Sequence, residues 1–330
     1  MARLPTELLD TIIDELQNCK QALLPFSLVS KGCRARARLH LFRKLHLGNR
    51  READETLSCP SRQIQRLQSA HELLAADDTL GWCVQSLTVT LTTFFLSLES
   101  EGTQTEEADA FNRLFPQILG RLPRLAHLCM GPDKSRLSIT DWNQLPADTQ
   151  KALKCCISTN LKGLELKSMI NVPLQSILSL GSSLESLMLW DVSLYSSADS
   201  RQKLQDMGLR SVKTLGWNGR PAEPQSVLTS PLKFPLTGLE ILVLIIKSEQ
   251  DLHDLKTLSE SCSETLRVMS LAIRFRLHLL LLHHSRPTLL FDVASALPQL
   301  SRLALSLSLP SLPGQKYLIP LKAYLWLAAL

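Results

Sequence analysis

One pattern recurs along most of this chain and limits what it can fold into. It is an apolar residue, two free positions, an apolar residue, one free position and a third apolar residue. It occurs at Val84/Leu87/Val89, Leu125/Leu128/Met130, Leu161/Leu164/Leu166 and Leu184/Leu187/Leu189. It continues at Val212/Leu215/Trp217, Leu239/Leu242/Leu244, Leu266/Met269/Leu271 and Leu300/Leu303/Leu305. The starts lie 41, 36, 23, 28, 27, 27 and 34 residues apart. Self-similarity at roughly 20–50 residues marks stacked supersecondary units, each burying its apolar face against its neighbours. Two apolar positions separated by one put both side chains on the same face of a short strand. Each motif is therefore expected to be a turn entering a strand.

The segments before most motifs carry helical periodicity: Ile64–Leu74, Ala110–Leu122, Asp148–Ile157, Leu174–Leu180, Ser200–Met207, Leu252–Ser261 and Leu290–Leu297. Helix then strand, about eight times, predicts an open α/β solenoid. An ordinary α/β domain with a buried parallel sheet is the alternative, because its strands are also Leu/Val runs. With 13 glycines in 330 residues and no glycine-rich strand-to-helix turn, a nucleotide-binding α/β domain lacks its phosphate-cradling motif.

The first fifty residues differ. Pro5 suits the first turn of a helix, and Glu7 complements its dipole. Leu8, Leu9, Ile12, Ile13 and Leu16 then form one wide apolar face. A second block holds Leu23, Leu24, Phe26, Leu28 and Val29, and a third interleaves Lys31, Arg34, Arg36 and Arg38 with Ala35, Ala37, Leu39, Leu41 and Phe42. Three short helices in so few residues bury little surface, so such a module tends to leave an apolar face for a partner.

Leu4-Pro5-Thr6-Glu7-Leu8-Leu9, Ile12, Leu16, Ser27-Leu28-Val29-Ser30-Lys31, Arg34, Ala37 and Leu41-Phe42-Arg43-Lys44-Leu45 together resemble an F-box, especially those of filamentous and mushroom-forming fungi. The resemblance implies docking on the Skp-type adaptor of a cullin–RING ubiquitin ligase. The implied contacts are Leu4, Pro5, Leu8, Leu9, Ile12, Leu16, Leu28 and Val29, with Lys31 and Arg34 at the rim. The family often has an aromatic residue where this chain has Cys33, beside Gly32, which predicts a weaker interface. The later repeats resemble the leucine-rich receptor domains that often follow an F-box. They are degenerate, since the Asn or Cys that regular repeats place after the strand is mostly absent. The expected organisation is an F-box over 1–47, a linker over 48–63, a curved leucine-rich-repeat-like solenoid over 64–310 and an apolar tail over 311–330.

Charge agrees with protein recognition rather than nucleic-acid binding. Residues 1–51 hold ten Lys/Arg against four Asp/Glu, and the remainder holds 26 against 27. The body therefore has no basic excess to neutralise phosphates. Eight cysteines show no C-x-x-C spacing and read as thiols of a reducing compartment. The early acids exclude a secretory signal, and the apolar runs Leu277–Leu282 and Tyr317–Leu330 fall short of the ~18–20 residues of a membrane span. A cytoplasmic or nuclear location is expected.

No nucleophile elbow, zinc-protease motif or phosphate loop is present. His278, His283 and His284 sit without nearby acids, and Glu99, Glu101, Glu106, Glu107 and Asp109 read as a solvated loop. No cofactor is implied, and the expected protein is a non-catalytic substrate receptor. Target contacts are expected between the strand leucines, at Lys162, Glu165, Lys167, Trp217 and Arg267, with Glu185, Ser186, Lys213, Asn218 and Arg302 as further positions. The alternatives are a leucine-rich scaffold outside any ligase, and a hydrolase or transferase with an unrecognised motif.

Overall fold

A computed structural model describes residues 5–48, 60–91, 106–132, 139–193, 212–218, 238–246, 255–256, 258–260, 262–273 and 297–307. The chain forms two compact units. The first comprises residues 1–138 and 144–161, the second residues 139–143 and 162–330.

The first unit opens with helices α1 (Thr6–Glu15), α2 (Lys20–Val29) and α3 (Lys31–Leu41). Ser30 caps α3 by accepting the Cys33 backbone N–H at 3.1 Å. Ile13, Leu23, Cys33 and Ala37 form the core of this trio, with Leu9, Leu16, Phe26 and Leu41 packed around it. Asp14 ties α1 to α3. It accepts Arg36 Nε at 2.7 Å and lies 2.8 Å from His40 Nε2. Arg36, then His40, holds the Asp14 carboxyl well below its usual range, at about 2.

The first unit then contributes three parallel, neighbouring strands, in the order β1 (Lys44–Leu47), β2 (Ser86–Leu91), β3 (His127–Pro132). Helices α4 (Pro60–Ala76) and α5 (Asp78–Cys83) precede β2, and α6 (Glu106–Gly120) precedes β3. In α6, Phe111 and Phe115 are fully buried with stacked rings 5.1 Å apart.

Three expectations change here. Lys44–Leu47 is a sheet strand, not the tail of the helical module, and Phe42/Leu45/Leu47 repeats the pattern of the later strands. The linker expected to reach residue 63 ends earlier, because α4 starts at Pro60. Glu106, Glu107 and Asp109 begin α6 rather than lie in a loop, which suits acids at a helix N-terminus. Gly48 is required by close approach, because a Cβ there would strike the Thr90 side chain.

The second unit contains six parallel strands in the order β5 (Gly163–Lys167), β7 (Ser186–Trp190), β8 (Thr214–Asn218), β9 (Ile241–Ile246), β10 (Val268–Ile273) and β11 (Arg302–Leu307). Between β5 and β7 lies α8 (Leu174–Leu180), and β4 (Thr140–Asp141) pairs with β6 (Met169–Ile170) in a separate two-stranded sheet. The repeat leucines align in register. Leu164, Leu187, Leu215, Leu242, Met269 and Leu303 form one column, and Leu166, Leu189, Trp217, Leu244 and Leu271 a second. Apart from the edge residue Leu303, both columns are buried. This open, parallel helix-and-strand arrangement is the solenoid-like order expected from the period. The helices expected over 200–207 and 290–297 lie almost wholly outside the described residues, as do residues 275–287 and the tail 311–330.

Candidate functional site

Helix α1 divides its apolar residues between two faces. Leu9, Ile13 and Leu16 turn toward the core, whereas Leu8 and Ile12 lie on the adjacent stripe and remain exposed. Helix α2 does the same: Leu23 and Phe26 pack inward, and Leu24, Leu28 and Val29 face out. Leu28 keeps 78% of its surface accessible and Val29 68%. Single exposed leucines are ordinary. Here seven of the nine large exposed apolar residues among the described residues lie within the first 42 positions. Such a concentration on a small helical module marks a surface made to be covered.

The expected adaptor-contact residues fall out as follows. Pro5, Leu8, Ile12, Leu28, Val29, Lys31 and Arg34 are exposed, Leu9 and Leu16 are half-buried against the core, and Leu4 lies outside the described residues. Arg34 Nε donates to the Ser27 carbonyl at 3.3 Å, so its guanidinium sits over the end of α2. Cys33 is 4% exposed and belongs to the core. The missing aromatic therefore bears on packing inside the module, not on a contact at its surface.

The strand-face residues separate into three groups. Trp217 does not reach the surface: it occupies a leucine position, is 7% exposed and stacks between Leu189 and Leu244. Its placement as a target contact is corrected by the alternation of the strand. Asn218 is buried as well, with Nδ2 donating to Asp191 Oδ1 at 3.3 Å.

Lys162 and Arg267 are exposed, but they flank the strands rather than lie on their faces. The carbonyl of each such residue accepts both N–H groups at the start of the neighbouring strand. The ladder runs Lys162, Glu185, Lys213, Glu240, Arg267. The charges alternate along it, so these cations are set beside acids instead of forming a basic patch.

Glu165 and Lys167 do lie on the outward face of β5. Glu165 accepts Trp190 Nε1–H at 2.9 Å, and Lys167 Nζ lies 2.9 Å from the same carboxylate. Trp190, Met188 and the β9 residues Ile241, Val243 and Ile245 share that face and were not anticipated from sequence. Their signal was the strand alternation itself, which sends them opposite to the leucines.

In the first unit, a groove of about 640 Å³ is lined by α6 and by α7 (Ala147–Thr159). Its polar residues are of mixed sign: Asp109, Arg113, Asp148 and Lys151. Cys155 reaches it, exposed, while burial pushes the adjacent Cys156 thiol up to about 11. Among the described residues no three His, Cys, Asp or Glu side chains converge as a metal site, and no helix is long and apolar enough to cross a membrane. His278, His283 and His284 lie outside the described residues.

No known protein-family model matches the chain, and no curated protein matches its sequence.

Proposed function

We propose that this protein is a substrate receptor of a cullin–RING ubiquitin ligase. Its three-helix N-terminal module is an F-box that docks on a Skp-type adaptor, and its repeat body is a leucine-rich-type domain that holds a target. The observation that carries this reading is the accessible apolar surface of Leu8 and Ile12 on α1 and of Leu28 and Val29 on α2, with Lys31 and Arg34 exposed on α3, while the other face of these helices already has its own core. These are side chains that the F-box resemblance assigns to the adaptor. Covering a leucine of this kind is worth about 1.5–3 kcal/mol. The face therefore adds little to folding of the free chain and much to a complex.

The receptor contributes no chemistry in this scheme. It raises the effective concentration of a target lysine near the ligase's ubiquitin-carrying subunits. Co-purification of the full chain with a Skp-type adaptor tests it. A wild-type complex that is lost in the Leu8→Glu, Leu28→Glu double variant is the expected result. A folded wild-type chain that forms no complex would leave a repeat protein outside any ligase.

A further inference from the structure

The outward face of the second unit's sheet has a chemistry of its own. Six strands contribute three outward positions each, and only Glu165, Lys167 and Arg302 among these eighteen carry a charge. Glu165 and Lys167 neutralise each other at 2.9 Å, and Arg302 belongs to the far strand β11. Binding a phosphorylated or strongly acidic segment relies on clustered Arg and Lys, and the described strands of this face hold no such cluster.

The middle of the face is built instead as a rigid apolar platform. A Cβ on Gly216 would strike Met188 Sδ and lie 3.1 Å from two carbons of the Trp190 ring. The side chains of Met188 and Trp190 thus reach across from β7 and rest over the bare backbone of β8. Trp190 cannot swing freely, because its Nε1–H donates to Glu165 Oε1 at 2.9 Å. On the far side of Gly216 its register partner is Val243, and β9 is apolar on both faces. An oriented tryptophan beside a pliable methionine is the composition of a binding hot spot, and a ring fixed in advance loses less entropy on binding.

We propose that this face captures its target through an apolar, unphosphorylated segment, whose aromatic or aliphatic side chain packs on Met188 and Trp190. The inference rests on the reading that the repeat sheet is the target-binding surface, and the absence of a basic cluster from the described strands selects the apolar partner over a phosphorylated one.

The experiment uses the full chain, with its adaptor when the two form a complex. A display library of random 15-residue peptides is selected on it, and the enriched peptides are synthesised with and without phosphoserine. Enrichment of Phe, Trp, Leu and Ile is expected, with no gain in affinity from phosphate. Trp190→Ala and Met188→Ala are each expected to weaken binding about tenfold or more. Far-UV circular dichroism checks the fold of each variant, and Trp190→Phe serves as the milder change if Trp190→Ala unfolds the sheet. Selection of acidic or phosphate-dependent peptides would overturn the inference. So would affinity unmoved in folded Trp190 and Met188 variants, or no enrichment at all. An adaptor complex that persists through those failures leaves the ligase reading standing. Peptide binding without a wild-type adaptor complex sinks the ligase reading and keeps this one.

Discussion

Ile13 in α1 and Leu187 in β7 are both buried, yet their neighbours have opposite fates. One residue before Ile13, Ile12 is exposed, and four residues before that Leu8 is half-exposed. Two residues after Leu187, Leu189 is fully buried. The helical module has only eight side chains in and around its core, so it cannot enclose all the apolar residues it carries. The sheet extends its core by one leucine pair for every strand added, and each strand buries the previous one. An apolar side chain left outside the first region's core is thus available to a partner, whereas a leucine of the second region's two columns is already committed to a neighbouring repeat.

The sharpest way to break this comparison is to truncate one large apolar residue in each region. Trp217→Ala removes a ring packed between Leu189 and Leu244, and the expected loss is about 3–5 kcal/mol in the unfolding free energy of the second unit. Leu28→Ala removes a side chain that is 78% accessible and is expected to change stability by less than about 0.5 kcal/mol. Urea denaturation of both variants decides the matter. Equal losses would mean that Leu28 is packed and unavailable to an adaptor.

A smaller effect tests where the module's core ends. Cys33 fills a site between Ile13, Leu23 and Ala37, where the resembling family often has an aromatic side chain. Cys33→Trp should overpack this core and cost about 1–3 kcal/mol. A variant that binds adaptor more tightly at unchanged stability would show instead that position 33 faces the partner.

Both tests bear on how much of the molecule was legible beforehand. All eight predicted strand motifs fall at strands or at the turns entering them, because stacked repeats impose one register and the leucines must share it. A ninth, Phe42/Leu45/Leu47, went unread because the same residues fitted the helical module. Helix ends moved by a few residues, and Asp78–Cys83 formed a helix too short to show a period.

The site was harder to read. Trp217 and Trp190 occur in neighbouring repeats, and residue type favours neither as a surface contact. Strand alternation alone sends Trp217 inward with the leucines and Trp190 outward. Only the alignment of the strands sets Lys162 beside Glu185 and Arg267 beside Glu240.

Next in size is the Asp14 network, which holds α1 against α3. Its carboxyl, normally near 3.8, is lowered to about 2, first by the Arg36 hydrogen bond and then by His40. A depressed folded value stabilises the module above the unfolded value, and the contribution fades as pH falls from about 4 through about 2. With more than a third of each Asp14 and Arg36 side chain exposed, solvent screening keeps it under about 1 kcal/mol. Asp14→Asn should therefore lower the urea midpoint at pH 6, and the gap to wild type should close by pH 2. A gap unchanged across that range would assign the loss to packing rather than charge.

The smallest expected effect concerns the alternating ladder Lys162, Glu185, Lys213, Glu240, Arg267, and it asks what distinguishes one repeat from the next when their leucines are interchangeable. Neighbouring parallel strands lie about 4.8 Å apart, so each of these charges has opposite charges next to it and like charges about twice as far away. Shifting one strand past another by a repeat would bring like charges together, a penalty that the leucine columns alone would not impose. Glu185→Lys creates that arrangement locally, with three cations in a row. It should cost a few tenths of a kcal/mol at low salt, in the range of exposed pairs. The cost should vanish near 1 M salt, where the screening length falls to about 3 Å. Adding Lys162→Glu, Lys213→Glu, Glu240→Lys and Arg267→Glu inverts every sign, restores alternation and should recover most of the loss. Recovery would mean that sign order, rather than any one charge, matters along this edge. No recovery, or a loss indifferent to salt, would reduce the ladder to five solvated side chains and leave leucine packing as the sole determinant of repeat order.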